Sequence, residues 1–172
     1  IMATYTFGLA EILVAASLAT GLMPEASAMT KIGEVLEGTA NMAQEEGDKT
    51  EFKEEGNPIP KVTISKAGSW SWNFNVMNAD PEMLSEYIGG TYNSLSKEWE
   101  FDGKTKSIEK ALFIKPKQGL YWKLPKASIS AVVTGDLNED GLLTLNFTVS
   151  PLSPADGKPS ILSGKVTDLP TG

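Results

Sequence analysis

The fold is decided by the stretch Ser69-Trp70-Ser71-Trp72-Asn73-Phe74-Asn75-Val76, in which every second residue is large and apolar and its neighbours are polar. Side chains of a β-strand point alternately to the two faces of a sheet, so this period of two predicts a half-buried antiparallel strand. The same alternation recurs over residues 143–150 and, more briefly, over residues 98–101. One face of each strand is expected on the core and the other outside.

The rest of the chain extends this pattern into a sheet. Further strands are predicted at residues 9–15, 35–43, 50–54, 107–114 and 127–134. Sixteen glycines and ten prolines favour strands and turns over a helical bundle. The predicted fold is therefore mainly β, an antiparallel β-sandwich or barrel.

One helix is predicted to flank the sheet. Asp80 suits the N-cap, Pro81 suits the first helical position, and Gly89-Gly90 supplies a left-handed stop. The apolar residues between these signals recur at spacings of three and four, which is the pattern of a helix with one buried face. They are Met83, Leu84, Tyr87 and Ile88.

The length of 172 residues predicts one domain spanning residues 1–172. Residues 17–33 and 44–66 contain Gly, Pro and charged residues and are expected to be long loops, which in a compact domain usually have a task. Residues 151–172 carry four prolines and are expected to form an extended C-terminal arm.

The composition restricts the chemistry that the protein can perform. The chain has no cysteine and no histidine, and all 15 of its basic residues are lysine. It therefore lacks thiolate nucleophiles, the commonest metal ligand and the bidentate arginine fork. The net charge of −7 disfavours direct nucleic-acid binding and docking on anionic lipid. No cofactor is expected.

An apolar run imitates a targeting signal. Residues 12–23 are largely apolar, and Glu25-Ala26-Ser27-Ala28 resembles a small-residue cleavage site. The preceding segment has no lysine and carries Glu11, whereas a secretory signal needs a positive start. The run is also too short to span a bilayer. A buried strand followed by a loop is expected here, with no membrane anchor.

The strongest motif is Asp136-Leu137-Asn138-Glu139-Asp140-Gly141, which matches the start of a calcium-binding loop. Asp136, Asn138 and Asp140 would supply oxygens, but position 12 is Phe147 instead of a closing carboxylate. The flanks also have the pattern of strands instead of helices. A hairpin turn is the preferred interpretation, and these three residues remain weak candidates for a metal site.

Carboxylate pairs and tryptophans suggest two other kinds of site. Glu98 and Glu100 share a strand face at a separation, about 7 Å, that overlaps that of inverting glycosidase pairs. Four tryptophans offer surfaces on which sugars could stack. The alternatives left open are thus a secreted carbohydrate-binding or adhesin-type β-sandwich, with or without calcium, and a hydrolase that works through carboxylates alone.

Charge is unevenly distributed along the chain. Residues 34–55 hold eight acids against Lys49 and Lys53, and residues 97–126 hold eight lysines against four acids. These segments are either two solvated faces or complementary patches on neighbouring copies. Complementary patches would produce head-to-tail contacts, which build rings or filaments.

The order of several segments resembles the major tail protein, or tail-tube protein, of long-tailed bacteriophages and related prophages. The resemblance is strongest over residues 32–152. It rests on Ile32-Gly33-Glu34-Val35-Leu36-Glu37-Gly38-Thr39-Ala40, the acidic stretch from Glu45 to Glu55, Ser71-Trp72-Asn73-Phe74, the helix at residues 80–90, residues 108–116, Leu124-Pro125-Lys126-Ala127-Ser128-Ile129-Ser130-Ala131, and Leu145-Asn146-Phe147-Thr148-Val149-Ser150-Pro151-Leu152.

The resemblance implies a structural virion protein without enzyme activity. Such subunits form hexameric rings that stack into a hollow tube for the passage of DNA. The implied partners are copies of the chain itself, other phage tail proteins, and DNA as non-specific cargo. The implied locations are the virion tail and, during assembly, the host cytoplasm. Residues 44–66 are the first candidate for a segment that reaches a neighbouring copy, and the C-terminal arm is the second.

Overall fold

The computed structural model describes residues 4–155 and 157–170. Within them the chain is mainly β, with antiparallel sheets and one α-helix, which confirms the predicted fold class. In chain order the elements are β1 (Phe7–Ala16), β2 (Thr30–Lys31), β3 (Asn41–Gln44), β4 (Lys49–Lys53), β5 (Pro60–Ser65), β6 (Trp70–Val76), α1 (Pro81–Tyr87), β7 (Gly89–Asn93), β8 (Glu98–Thr105), β9 (Ile108–Gln118), β10 (Leu120–Thr134), β11 (Thr144–Pro151) and β12 (Leu162–Lys165).

Most strands belong to one antiparallel sheet in the order β2-β1-β9-β10-β11-β6-β3. The long strand β10 organises it, because its first half pairs with β12 and its second half pairs with β11. Its pairing with β9 shifts register between Leu124 and Ala127, around Pro125, which has no N–H to donate to a ladder. The irregularity falls where β10 changes partner, as β-bulges commonly do where a sheet bends.

The sheet folds over on itself, so that strands far apart in its order share one core. Ile12 of β1 and Phe74 of β6 belong to the same buried cluster, although three strands separate them in the sheet. At its centre the rings of Phe74 and Phe147 stack with centroids 5.2 Å apart. From Trp72 in β6 and from Leu145 in β11 the inward side chains of the predicted alternation pack as expected, because both strands have one buried face. Leu143, the first apolar residue of the second alternation, precedes β11 and is 42% exposed, whereas Thr144 is buried.

The segment from β2 to residue 36 joins the two ends of the sheet. Thr30 and Lys31 pair with β1, and Ile32 donates its N–H to the carbonyl of Ile12. Further on, Leu36 donates its N–H to Asn75 at the end of β6. This crossing closes the sandwich at the end where β1 and β6 finish. At the opposite end no such crossing links the described strands.

The predicted helix is present and has the predicted cap. The carboxylate of Asp80 accepts a hydrogen bond from the N–H of Met83 at 2.8 Å, and Pro81 occupies the first turn. The helix packs on the core through Tyr87, whose ring meets Phe147 edge to face. Burial, and secondarily the carboxylate of Glu86, raises the pKa of the Tyr87 hydroxyl well above its usual value, so it stays neutral.

The strand predicted at residues 98–101 does not pack on the main core. It begins β8, which pairs only with β7 in a separate hairpin beside the helix. Trp99 and Phe101 stack on each other, and Phe101 remains 48% exposed. The alternation therefore identified the strand correctly but not its position, because a two-stranded hairpin can bury its apolar face only locally.

Several predicted loops and strands differ in extent from what the structure shows. Residues 44–66 are not a long irregular loop, because the strand predicted at residues 50–54 is present as β4 and pairs with β5 in a hairpin. The single strand predicted over residues 35–43 is reduced to a bridge at Val35 and to β3, since the chain turns at residues 37–38. Residues 17–33 are mainly loop, as predicted. The C-terminal arm contains β12, and its residues 156, 171 and 172 lie outside the described residues.

The Phe74–Phe147 stack provides a test of the core. We expect Phe147→Ala to lower the free energy of unfolding by about 3–5 kcal/mol, because it empties a fully buried site. Phe101→Ala, at an exposed ring, should lower it by about 1 kcal/mol or less. Urea denaturation of both variants measures the difference. Equal losses would contradict the position assigned to this core.

Candidate interaction surface

The hairpin β4–β5 projects from the sandwich as a continuation of the β3–β6 ladder; residues 45–69 are called the arm below. The ladder ends at the pair Gln44 and Trp70, and Glu45 then donates its N–H to Ser69 at 2.9 Å. Beyond this point the backbone N–H of Lys66 donates to the backbone carbonyl of Asp48 at 2.8 Å, where the pairing of β4 with β5 begins. The arm is therefore held to the sheet through its backbone.

Two glycines lie side by side where the arm leaves the sheet. A Cβ on Gly47 would overlap the carbonyl oxygen of Lys66, and a Cβ on Gly68 would overlap that of Glu45. Only glycine permits these two segments of the chain to approach so closely at this point. This crossing of the two segments fixes the direction of the arm through backbone contact, with no side chain between the segments.

One face of the arm is apolar and lacks a covering layer. Phe52 lies opposite Val62 in the ladder, and Ile64 follows two residues later on the same face. Their exposed fractions are 55%, 53% and 48%, and Ile59 near the turn is 70% exposed. An exposed apolar face of this kind is a candidate for an interaction surface.

The opposite face of the arm is charged. Lys49 and Lys53 both pair with Glu51, at 3.2 and 3.6 Å, and Lys61 pairs with Glu54 at 2.7 Å. These exposed pairs add little stability, since solvent screens them. They give this face a charged surface suited to contact with water, in contrast to the apolar face.

A cleft of about 720 Å³ opens at the end of the sandwich from which the arm projects. It lies between the start of β1 and β3, the strands that flank the gap in the folded sheet. Its walls are mostly apolar. They include Leu9, Ile12, Leu36, Met42, Trp72 and Trp122.

Both strands that flank the cleft have an unpaired edge. Strand β1 pairs with β9 along its length, but on its other side β2 reaches only Leu13 and Val14. Strand β3 pairs with β6 and has no described strand on its other side. Exposed edges of this kind are templates for pairing with another chain.

Trp72 lines the cleft and carries an unsatisfied hydrogen-bond donor. Its side chain is buried, with 3% of the residue exposed, and its indole Nε1–H has no acceptor among the described residues. A buried donor without an acceptor costs about 1–3 kcal/mol. The rings of Trp70 and Trp122 pack against it at 6.0 and 6.1 Å between centroids.

The weak calcium candidates lie in the turn between β10 and β11, as the sequence predicted. Asp140 donates its N–H to Oδ1 of Asn138 at 3.1 Å, so that side chain is used to form the turn. Phe147, at the closing position of the motif, is buried in the core and offers no oxygen. Among the described residues no three acidic side chains cluster closely enough to hold a metal ion.

The other residues considered as sites from the sequence do not converge. Glu98 and Glu100 lie on β8, away from the cleft, and Glu100 accepts a hydrogen bond from the side-chain amide of Asn93 at 3.2 Å. Trp70, Trp72 and Trp122 form one packed cluster rather than an exposed row for sugars. The sequence signal for the cleft, an interior cluster of tryptophans beside edge strands, cannot be distinguished from ordinary core alternation.

The basic segment does not form a single patch. Lys110 pairs with Glu86 of the helix, and Lys126 pairs with Glu109. Lys115 and Lys117 lie at the other end of β9, and Lys117 lines the cleft. The lysines are spread over the length of the sandwich, because β9 is an 11-residue strand. Charges of both signs also occur around the cleft.

Comparison with protein-family models and with curated proteins finds no match to this chain. In the described part of the chain, no helix has the length and apolar character needed to cross a membrane. The arm, the cleft and the unpaired strand edges are the observations on which a functional proposal can be built.

The turn at residues 136–141 can be tested directly for calcium binding. We expect millimolar calcium to leave the melting temperature unchanged, because the closing ligand of the motif is replaced by a buried ring. Differential scanning calorimetry with and without calcium measures this, with magnesium as the control for ionic strength. A rise specific to calcium would contradict the interpretation as a plain turn.

The glycine crossing predicts a local effect on the arm. We expect Gly68→Ala to remove the hydrogen-exchange protection of β4 and β5, since its Cβ would overlap the Glu45 carbonyl oxygen. Gly56→Asn is the matched control, because nothing lies near a Cβ there and asparagine tolerates its left-handed backbone. The melting temperature of the sandwich should change little in both variants. Unchanged protection in Gly68→Ala would contradict the crossing.

Proposed function

We propose that this protein is a structural subunit that associates with copies of itself into closed rings, which stack into the tube of a phage tail. Its resemblance to tail-tube proteins suggests hexameric rings and a bore through which DNA passes. No catalytic role is part of the proposal. What supports it is the presence, on one chain, of surfaces suited to self-association.

The observation that carries the proposal is the apolar face of the arm. Phe52, Val62 and Ile64 leave 48–55% of their surface exposed in the isolated chain. Covering apolar surface is favourable by roughly 25 cal/mol per Å². A segment without a core of its own, fixed to the sheet by backbone hydrogen bonds, is suited to reach a neighbouring subunit.

The open sheet edges support closed association. Strand β3 and the first part of β1 present main-chain donors and acceptors that no described strand uses. Pairing such edges between copies satisfies them, and a ring leaves none exposed. The same edges would otherwise favour uncontrolled aggregation.

The charge of the chain suits both a soluble subunit and a channel for DNA. Each copy has a net charge of −7, which keeps unassembled copies apart and in solution. A bore of the same sign would repel the DNA phosphates and let the DNA slide. The proposed partners are copies of this chain, other tail proteins and DNA as cargo, in the virion tail and, before that, in the host cytoplasm.

Electron microscopy and light scattering of the concentrated protein test this proposal. We expect rings or tubes of uniform diameter for the natural sequence. We expect Val62→Asp to lower the assembled fraction at least tenfold, because it places a charge on the apolar face of the arm.

Thr63→Asp is the matched control for this experiment. It adds the same charge to the neighbouring position, on the face that carries Glu51, and should assemble normally. A protein that stays monomeric at every concentration, or equal losses in the two variants, would contradict the proposal.

A further inference from the structure

We propose that the cleft binds the arm of a second copy, which adds to the open sheet as a hairpin between β1 and β3, with its two outer edges against the edges of those strands. The occupant is thus a segment of the same chain, residues 49–65, and the inference rests on the self-association proposed above. Two features carry it: unpaired backbone on both sides of the cleft, and matching apolar surfaces.

The strands on both sides of the cleft have backbone groups that no described strand uses. Residues 7–11 of β1 and residues 41–44 of β3 each have one free edge, and the cleft lies between them. The arm offers free outer edges as well, because β4 and β5 pair only with each other. Added strands align at about 4.8 Å from their neighbours and use hydrogen bonds that are otherwise left to water.

The side chains of the two surfaces are also compatible. The cleft presents Leu9, Met42 and Trp122, and the arm presents Phe52, Val62 and Ile64. The other arm face carries the Lys49–Glu51 and Lys61–Glu54 pairs, which would stay in water. A volume of 720 Å³ is in the range of cavities that bury a ligand of several side chains.

The arrangement leads to rings because donor and acceptor are different surfaces of one chain. A copy that receives an arm in its cleft still has its own arm free, so association continues until the last arm meets the first cleft. Reciprocal exchange between two copies would stop at a dimer. The size of the cross-linked product separates these two geometries.

Cross-linking tests the inference cleanly, because the natural chain has no cysteine. A size-tagged copy carrying Val62→Cys is mixed with an untagged copy carrying Ala10→Cys, concentrated, and treated with a short bis-maleimide. Ala10 is exposed and lines the cleft. The control partner carries Ala16→Cys, which is exposed at the far end of the same strand.

We expect at least ten times more tagged–untagged product with Ala10→Cys than with Ala16→Cys. Equal yields would overturn the inference. Rings that form without this product would overturn the docking site while leaving the proposed function standing. A protein that neither assembles nor cross-links would overturn both.

Discussion

Within the described residues the sheet of this protein is joined to itself at one end only, and the cleft and the unpaired strand edges follow from that constraint. The segment from β2 to residue 36 hydrogen-bonds to both β1 and β6 and holds the folded sheet together. At the other end β1 and β3 face the cleft with unpaired edges. A fully closed barrel would have no edge to offer, and a flat sheet would have no cleft.

The stability of the chain and the association proposed for it depend on different regions. The core around Phe74 and Phe147 is fully buried and is expected to hold the sandwich together without a partner. The arm has no core, and its cohesion depends on backbone hydrogen bonds and exposed ion pairs. Regions with few buried contacts open at low free energy, so the arm can adapt to a partner while the sandwich stays folded.

Much of the fold could be predicted from the alternation of apolar residues, because burial on one face enforces a period of two. Strands β1, β6, β9, β10 and β11 follow this pattern, and the Asp80 cap follows from residue type. The strand predicted at residues 50–54 is β4, but the glycines, prolines and acids of residues 44–66 predict a loop around it and give no sign of its partner β5. The pattern of Trp99 and Phe101 indicated a strand correctly but could not show that it lies outside the main sheet.

By itself the sequence determined a chain of antiparallel strands with one capped helix and without thiol, imidazole or guanidinium chemistry. Those properties are local, because periodicity, capping and residue type act over a few positions. Only the tertiary structure decided that β1 and β3 flank a cleft, that Trp72 keeps an unsatisfied donor there, and that Gly47 meets Gly68 at the base of the arm. These features join residues far apart in the chain, and their positions depend on how the sheet bends near Pro125 and folds over its core.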